Sequence, residues 1–369
     1  MNYMNLSVSQ NCGRILKNIG NMDTWKLMRI LRDKLGKNNF WHYVRFIQNR
    51  SRIKSVVISK GVKWQSVRKN IRQAWVRYHW NESEFFYFDY ENSNKEKRKS
   101  FVPEYEKNIF CDKANDNTSD LVFHDKWLTY LKFKEYFKRD AIFIYDKDSL
   151  LSNEATAFFQ KHPKFILKPI HAATGRGVQI ISINDLNKVD KVLLPIIEKV
   201  KACIAEELIV QDSAFALLHP YSVNTIRVPS FRFSENDTLI FHPFLRVGQG
   251  GNIIDNAGAG GIMGLIDVNT GIVYAASDEC QGYYEKHPDT GKDIVGFKVP
   301  QWEDAKSLIK NVAEVLPEVR YVGWDIALTN KGWVLIEGNE KGQFLWQIPR
   351  KEGFREEFEC ICRKANISI

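Results

Sequence analysis

The chain has 369 residues, 44% of them hydrophobic and 26% charged, with a net charge of +9. A chain of this size buries a sizeable core, as one large domain or two to three small ones. No apolar run approaches the ~18 residues of a membrane-spanning helix, and the start, MNYMNLSVSQNCGRIL, lacks the basic and apolar regions of a secretory signal. Six scattered cysteines (Cys12, Cys111, Cys203, Cys280, Cys360, Cys362) form no C-x₂-C pair, so the expected setting is reducing and cytoplasmic, free or peripheral to the inner face of a membrane.

Residues 1–80 hold 17 Lys and Arg against Asp23 and Asp33 alone, a surplus of 15 that leaves the remainder mildly acidic. Residues 22–80 read as helical: Trp25, Met28, Leu31 and Leu35 recur at helical spacing, as do Trp64, Val67 or Arg68, Ile71, Trp75 and Tyr78. In the second of these, Lys63, Arg68, Lys69, Arg72 and Arg77 surround the side opposite the aromatic residues. Such a helix suits packing of its Trp stripe with the cations in water, the favoured reading, or a place flat on an anionic membrane surface or acidic glycan. No nucleic-acid reader motif occurs, and nucleic acid is not an expected partner.

Residues 92–100 read as a charged link, and 101–119 as irregular. From Asp120 a helix is expected with Trp127, Leu131 and Tyr136 spaced for burial, then a strand at 141–145 and a helix capped by Ser149 or Ser152. In FILKPIHAATGRGVQII, a β run ends at Lys168-Pro169, and a loop with Thr174-Gly175-Arg176-Gly177 leads into a second β run. Glycines let backbone N–H groups approach a phosphate while Lys168 supplies a point charge. This is not the strand–loop–helix of a Walker A or dinucleotide site.

A helix at 184–201 precedes IAEELIVQD (204–212), a strand running into a polar segment suited to a purine, with Asp212 or a neighbouring glutamate reaching ribose. His219 reads as a packing or turn residue. Arg227, flanked by Ile226 and Val228 in a β run, is expensive to bury unpaired and so sits at an edge or meets an anion. In the glycine-rich run that follows, Arg246, Asp255 and Asn256 stand out as candidate substrate groups. Residues 301–316 form an amphipathic helix, and 352–364 a tail helix.

The hairpin YVGWDIALTNKGWVLIEGNEKGQF (321–344) carries Asp325 on its first strand and Glu337 and Asn339 on its second. A two-residue loop, Asn330-Lys331, puts Asp325 and Glu337 on opposite faces. A three-residue loop with Gly332 at its left-handed position pairs Thr329 with Trp333 and sets Asp325 opposite Glu337. In the second register two carboxylates and an amide converge, a donor set for Mg²⁺.

In order along the chain, K-P…G-R-G-V, A-E-E-L-I-V-Q-D, N-T-I-R-V and G-W-D…E-G-N resemble the ATP-grasp superfamily, over roughly residues 120–347, and VNTIRV and LIEGNEKGQ resemble its sugar-transfer-associated group. The resemblance implies an α+β, ATP-grasp fold of two subdomains clasping nucleotide. The expected division is a basic helical region and linker (1–119), an N-terminal subdomain with the phosphate loop (120–203), a C-terminal subdomain with the Mg/ATP and substrate site (204–350), and a tail helix (351–369). It further implies that Lys168, the 174–177 loop and Lys126 hold ATP phosphates. Glu206, Glu207, Leu208 and Ile209 would form the adenine hinge, Asp212 would meet ribose, Arg227 would hold the transferred group, and Asp325, Glu337 and Asn339 would bind Mg²⁺. Related ligases often carry an acid two residues before the strand arginine, where this chain has Thr225. The implied activity is ATP-dependent carboxylate–amine ligation through an acyl phosphate, with a sugar acid of a surface polysaccharide as carboxylate and an amino acid as amine. The alternatives are a kinase of a hydroxyl on the same fold and a non-catalytic nucleotide-binding scaffold.

Overall fold

The computed structural model describes residues 32–33, 36–171, 176–183, 185–251, 255 and 260–369. Trp25, Met28, Leu31 and Leu35, and the site candidates Thr174, Gly175 and Asn256, lie outside the described residues. The chain divides into two compact units, 1–94 and 95–369.

In the first unit, helix Lys37–Ser59 packs against Trp64–Gln73, whose buried stripe is Trp64, Val67 and Ile71. The helix then widens into a π turn over Ala74–Tyr78. That turn rotates the stripe, so Ala74 and Val76 are buried where strict helical spacing expects Trp75 and Tyr78. No helix among the described residues is long and apolar enough to cross a membrane.

The second unit is α+β, built on two antiparallel sheets. The smaller contains β1 (Ala141–Ile144), β2 (Lys164–Pro169), β3 (Gln179–Ser182) and β4 (Cys203–Glu207) in the order β1-β4-β2-β3. Strand alternation sends Phe165 and Leu167 into a core with Phe158, Phe159, Leu193 and Ile197 of two covering helices. Each fully buried side chain of this kind is worth about 1.5–3 kcal/mol. Lys168 and Glu206 are left for the other face.

The larger sheet contains β5 (Thr225–Ser234), β6 (Asp237–Ile240), β7 (Phe244–Val247), β8 (Ile262–Ile266), β9 (Val273–Ser277), β10 (Tyr321–Thr329) and β11 (Gly332–Asn339). Its order is β11-β10-β5-β7-β8-β9, with β6 paired to β5. One face, with Ile226, Val228, Leu245, Trp324, Ile326 and Leu335, packs on helices Lys126–Phe137 and Trp302–Val315. The other face carries Arg227, Arg246 and Asp325.

Three sequence expectations need correction. The boundary at 203/204 cuts into β4, which pairs with β1 and β2, so Glu206 belongs to the smaller sheet. The segment 101–119 is not irregular: Glu104–Ala114 is a helix burying Lys107, Phe110, Cys111 and Ala114, a helical stripe disguised by its lysine. On Lys126–Phe137 the buried residues are Thr129, Tyr130, Phe133 and Phe137, while Leu131 stays exposed.

Candidate active site

The β10–β11 hairpin reaches the expected pairing by another route. Its turn is the two-residue one, with Thr329 opposite Gly332 and Leu328 opposite Trp333. Gly332 does adopt the left-handed conformation, at φ 79°. The register then slips: Ile326 faces Leu335, but Asp325 faces Glu337, leaving Ile336 as an extra residue on β11. This β-bulge reverses the alternation, so Leu335 enters the core and Glu337 joins Asp325 on the opposite face.

Asp325 is buried and held by both arginines. Arg227, its cross-strand neighbour on β5, donates through Nε to Oδ1 and through Nη2 to Oδ2 at 2.9 Å. Arg246 Nη1 donates to Oδ2 at 2.8 Å. Burial by itself raises the Asp325 carboxyl, but the two guanidinium charges outweigh it and hold the group well below the usual carboxylate range. Burial likewise opposes the charge on Arg227 and Arg246, and their carboxylate neighbours more than restore it.

Arg246 Nη2 also reaches Asp255 Oδ1 at 3.4 Å, and Asp255 Oδ2 accepts from the Thr225 backbone N–H at 3.0 Å and from its hydroxyl. The loop residue Asp255 thus supplies a carboxylate beside the strand position where this chain has Thr225.

Glu337 is the exposed member of the acid pair. Desolvation at its oxygens raises the carboxyl, and the Asp325 charge opposite raises it further. Asn339 Nδ2 donates to Glu337 Oε1 at 3.4 Å. Two carboxyls opposite each other on the hairpin, with a side-chain amide beside them, are a donor set that fits a hard divalent cation. Because Asp325 already accepts three arginine hydrogen bonds, Glu337 and Asn339 are the accessible donors and Asp325 retains only its remaining lone pairs.

The smaller sheet faces this group with cations. Lys168 Nζ lies 3.0 Å from Glu206 Oε1, its diagonal neighbour across β2 and β4. Burial pushes the Glu206 carboxyl up, but Arg139 and Lys168 overcome it and hold the group down at about 2, from an ordinary 4.5. Arg139, which the sequence did not mark, also donates to the Leu335 carbonyl at 2.6 Å, tying the smaller sheet to β11. Lys126 donates to the Ile170 carbonyl at 3.3 Å. Its ammonium is destabilised by burial, favoured by Glu337 and disfavoured by Lys168, so it feels both sides of the site.

Other expected residues fall elsewhere. Glu207 pairs with Lys331 at 2.8 Å on the hairpin turn, and Leu208 and Ile209 are half-buried. Asp212 caps helix Ser213–Leu218, its Oδ1 accepting from the Ala214 N–H at 2.8 Å. Arg176 is exposed at the end of the loop, and Gly177 packs near Pro169. His219 is a packing residue as read, bonded to Ser222 and the Gly250 carbonyl.

A depressed, buried Glu206 stabilises the fold above its unfolded-state value, and that stability is lost as pH falls from about 4.5 through about 2. A Glu206→Gln variant is expected to lack this component, of order 3 kcal/mol. Denaturant titrations at a series of acidic pH values read it as a flatter stability profile.

Two antiparallel sheets, one bearing lysines and the other a carboxylate–arginine cluster, form the two halves of an ATP-grasp fold. The chain belongs to the sugar-transfer-associated ATP-grasp family, whose profile matches residues 105–363. Among solved structures it is similar to D-alanyl-alanine synthetase A from Vibrio cholerae O1 biovar eltor str. N16961 (11% identity, TM-score 0.42, 68% of each chain covered). It is also similar to N5-carboxyaminoimidazole synthetase from Staphylococcus aureus complexed with ADP (10% identity, TM-score 0.43, 73% of this chain and 59% of that one). A third similarity is to the ATP-grasp ligase PsnB complexed with its minimal precursor (11% identity, TM-score 0.37, 69% of this chain and 60% of that one). The chain therefore spans 59–68% of the length of these three. No curated protein matches its sequence.

Proposed function

We propose that the protein is an ATP- and Mg²⁺-dependent ligase that activates a carboxylate as an acyl phosphate and transfers the acyl group to an amine. The observation that carries this reading is the juxtaposition of Glu337, opposite Asp325 across the bulged hairpin, and two arginines that Asp325 fixes beside it. Lys168 and Lys126 would hold ATP phosphates on the side of the smaller sheet. Arg227 and Arg246, already oriented by Asp325 and Asp255, would face the carboxylate oxygens as they take the phosphoryl group, and would stabilise the charge that builds there. Glu337 and Asn339, with Asp325 behind them, would hold Mg²⁺, which neutralises phosphate charge and aligns the transferred group. The amine then displaces phosphate, forming C–N and breaking C–O, and its proton leaves to solvent.

A sugar acid as carboxylate and an amino acid as amine are the finer proposal, drawn from the family's sugar-transfer association. The test is ADP release against pooled uronic acids and amino acids, with products read by mass. An amide product supports ligation. A stable phosphorylated hydroxyl compound shows a kinase instead, and nucleotide binding without turnover of any pool favours a scaffold.

The N-terminal unit supports a separate proposal about location. Helix Trp64–Gln73 contains no acidic residue and exposes Arg68, Lys69 and Arg72. The described carboxylates of the unit are met from within it: Asp33 by Arg32, Glu82 by Arg52, Glu84 in a capping box with Asn81, Asp89 by Asn92 and Glu91 by Asn70. On Lys37–Ser59, Ile47, Lys54 and Ile58 are exposed at helical spacing. Cations interleaved with exposed apolar groups suit an anionic bilayer, at about 1 kcal/mol per basic residue near the surface. Sedimentation with phosphatidylglycerol vesicles, lost in high salt and in an R68E/K69E/R72E variant, is the expected result. Binding to a soluble acidic polysaccharide but not to vesicles favours the glycan instead.

A further inference from the structure

The turn that follows Asn339 is gripped from outside by a segment that no part of the proposed chemistry uses. Lys107, only 2% exposed, donates from Nζ to the Lys341 carbonyl at 2.8 Å. Asn115 donates to the Glu340 carbonyl at 2.9 Å, and also brackets Tyr321, donating to its carbonyl at 3.0 Å and accepting its N–H at 2.8 Å. The Tyr321 hydroxyl donates to the Gly342 carbonyl at 2.8 Å. Three successive carbonyls, 340 to 342, are therefore each held by a buried side chain. The side chains of the turn are tied as well, Lys341 to Asp112 of the same helix at 2.7 Å and Glu340 to His124, beyond it, at 3.1 Å.

The grip has a direction. Gly342 donates back to the Asn339 carbonyl at 3.1 Å, closing the turn directly after the amide ligand. A Cβ on Gly342 would lie 3.1 Å from Gly323 Cα, and one on Gly323 would lie 3.3 Å from Arg227 Cδ. The turn thus wedges between helix Glu104–Ala114 and the strand floor beside Arg227. Burying a lysine is costly, and the cost falls if its ammonium meets a fixed acceptor. An apolar residue would fill the same space on this helix. The Lys107 ammonium, 4.0 Å from Glu104 Oε1 on its own helix, instead reaches across to the turn and holds its carbonyl.

We propose that Lys107 and Asn115 are positioning residues for the cation-binding arm. By fixing the carbonyls of Glu340 and Lys341, they set where Asn339 and Glu337 enter the site. The proposal rests on the ligase reading and adds to it a role for a helix outside both sheets. Outer partners that orient metal ligands commonly change metal affinity by about 10–100-fold when removed.

The test is a Mg²⁺ titration of nucleotide binding, followed by ADP-induced thermal shift in the full chain. Lys107→Met keeps the stem and removes the donor; the Mg²⁺ midpoint is expected to rise about tenfold, with metal-free nucleotide affinity changed less than about twofold. Lys107→Gln, which keeps an N–H donor, is expected to recover part of the shift. Asp112→Asn, which removes one partner of an exposed ion pair, is expected to shift the midpoint in the same direction by a smaller factor. Lys113→Met, on the same helix but bonded to the Ser368 carbonyl, is the control expected to leave the midpoint unchanged. A lowered melting temperature with an unmoved Mg²⁺ midpoint in Lys107→Met and Asp112→Asn makes the role merely structural and overturns the proposal. If the unaltered protein shows no Mg²⁺ dependence, the ligase reading beneath it falls as well.

Discussion

Replacing Asp325 by alanine is expected to destabilise the fold by about 3–5 kcal/mol, the cost of leaving a buried charge without its partner. Here two charges lose it. Among the described residues, Arg227 keeps no other carboxylate in hydrogen-bond contact, and Arg246 keeps only Asp255 at 3.4 Å. Neither can discharge by losing its proton, because guanidinium stays protonated. Against a total stability of about 5–15 kcal/mol, the loss is large enough to lower soluble yield. Urea unfolding of the purified variant measures it. Removing the arginine as well, in an Arg227→Met/Asp325→Leu pair, is expected to recover part of the loss, because an apolar pair of similar volume removes the stranded charge. A single-variant loss below about 1 kcal/mol would mean that water reaches these groups and that the pairing holds the sheet only weakly.

The same cluster shows how far the sequence leads. The spacing of Asp325, Glu337 and Asn339 on a hairpin is written in the chain, and so is the pressure on Arg227 to meet an anion. What brings the acids face to face is not. Ile336 is an ordinary β residue inside VLIE, and nothing local marks it as the extra member of a bulge. The expected three-residue turn reached the right pairing through the wrong loop. Partners far away in sequence were equally hidden. Asp255 takes its place at Thr225 through a fold-back of 30 residues, and Arg139 reaches Glu206 across 67. Lys107 concealed a whole helix, because a buried lysine breaks the apolar period by which helices are recognised. Long elements with regular periods, such as Trp302–Val315 and Thr225–Ser234, were legible because their burial needs no distant partner.

Glu337→Gln is expected to separate chemistry from folding in the opposite sense to Asp325→Ala. Glu337 is exposed and faces the Asp325 charge across the hairpin, so the amide substitution removes a like-charge conflict and leaves no buried charge unpaired. Stability is therefore expected to stay within about 1 kcal/mol of the unaltered protein, or to rise. Function is expected to suffer. An amide replaces a charged oxygen donor at the position most open to a cation, and the remaining acid, Asp325, is committed to two arginines. The charge that offsets developing phosphate charge is then poorly held, a loss on the scale of removing one oxyanion donor, about 10²–10³-fold in turnover. ADP release at saturating ATP, titrated with Mg²⁺ beside a thermal unfolding curve, reads both quantities from one preparation. Turnover within about tenfold of the unaltered enzyme, with an unchanged Mg²⁺ requirement, would move the cation elsewhere and leave the acid pair a structural feature of the bulged hairpin.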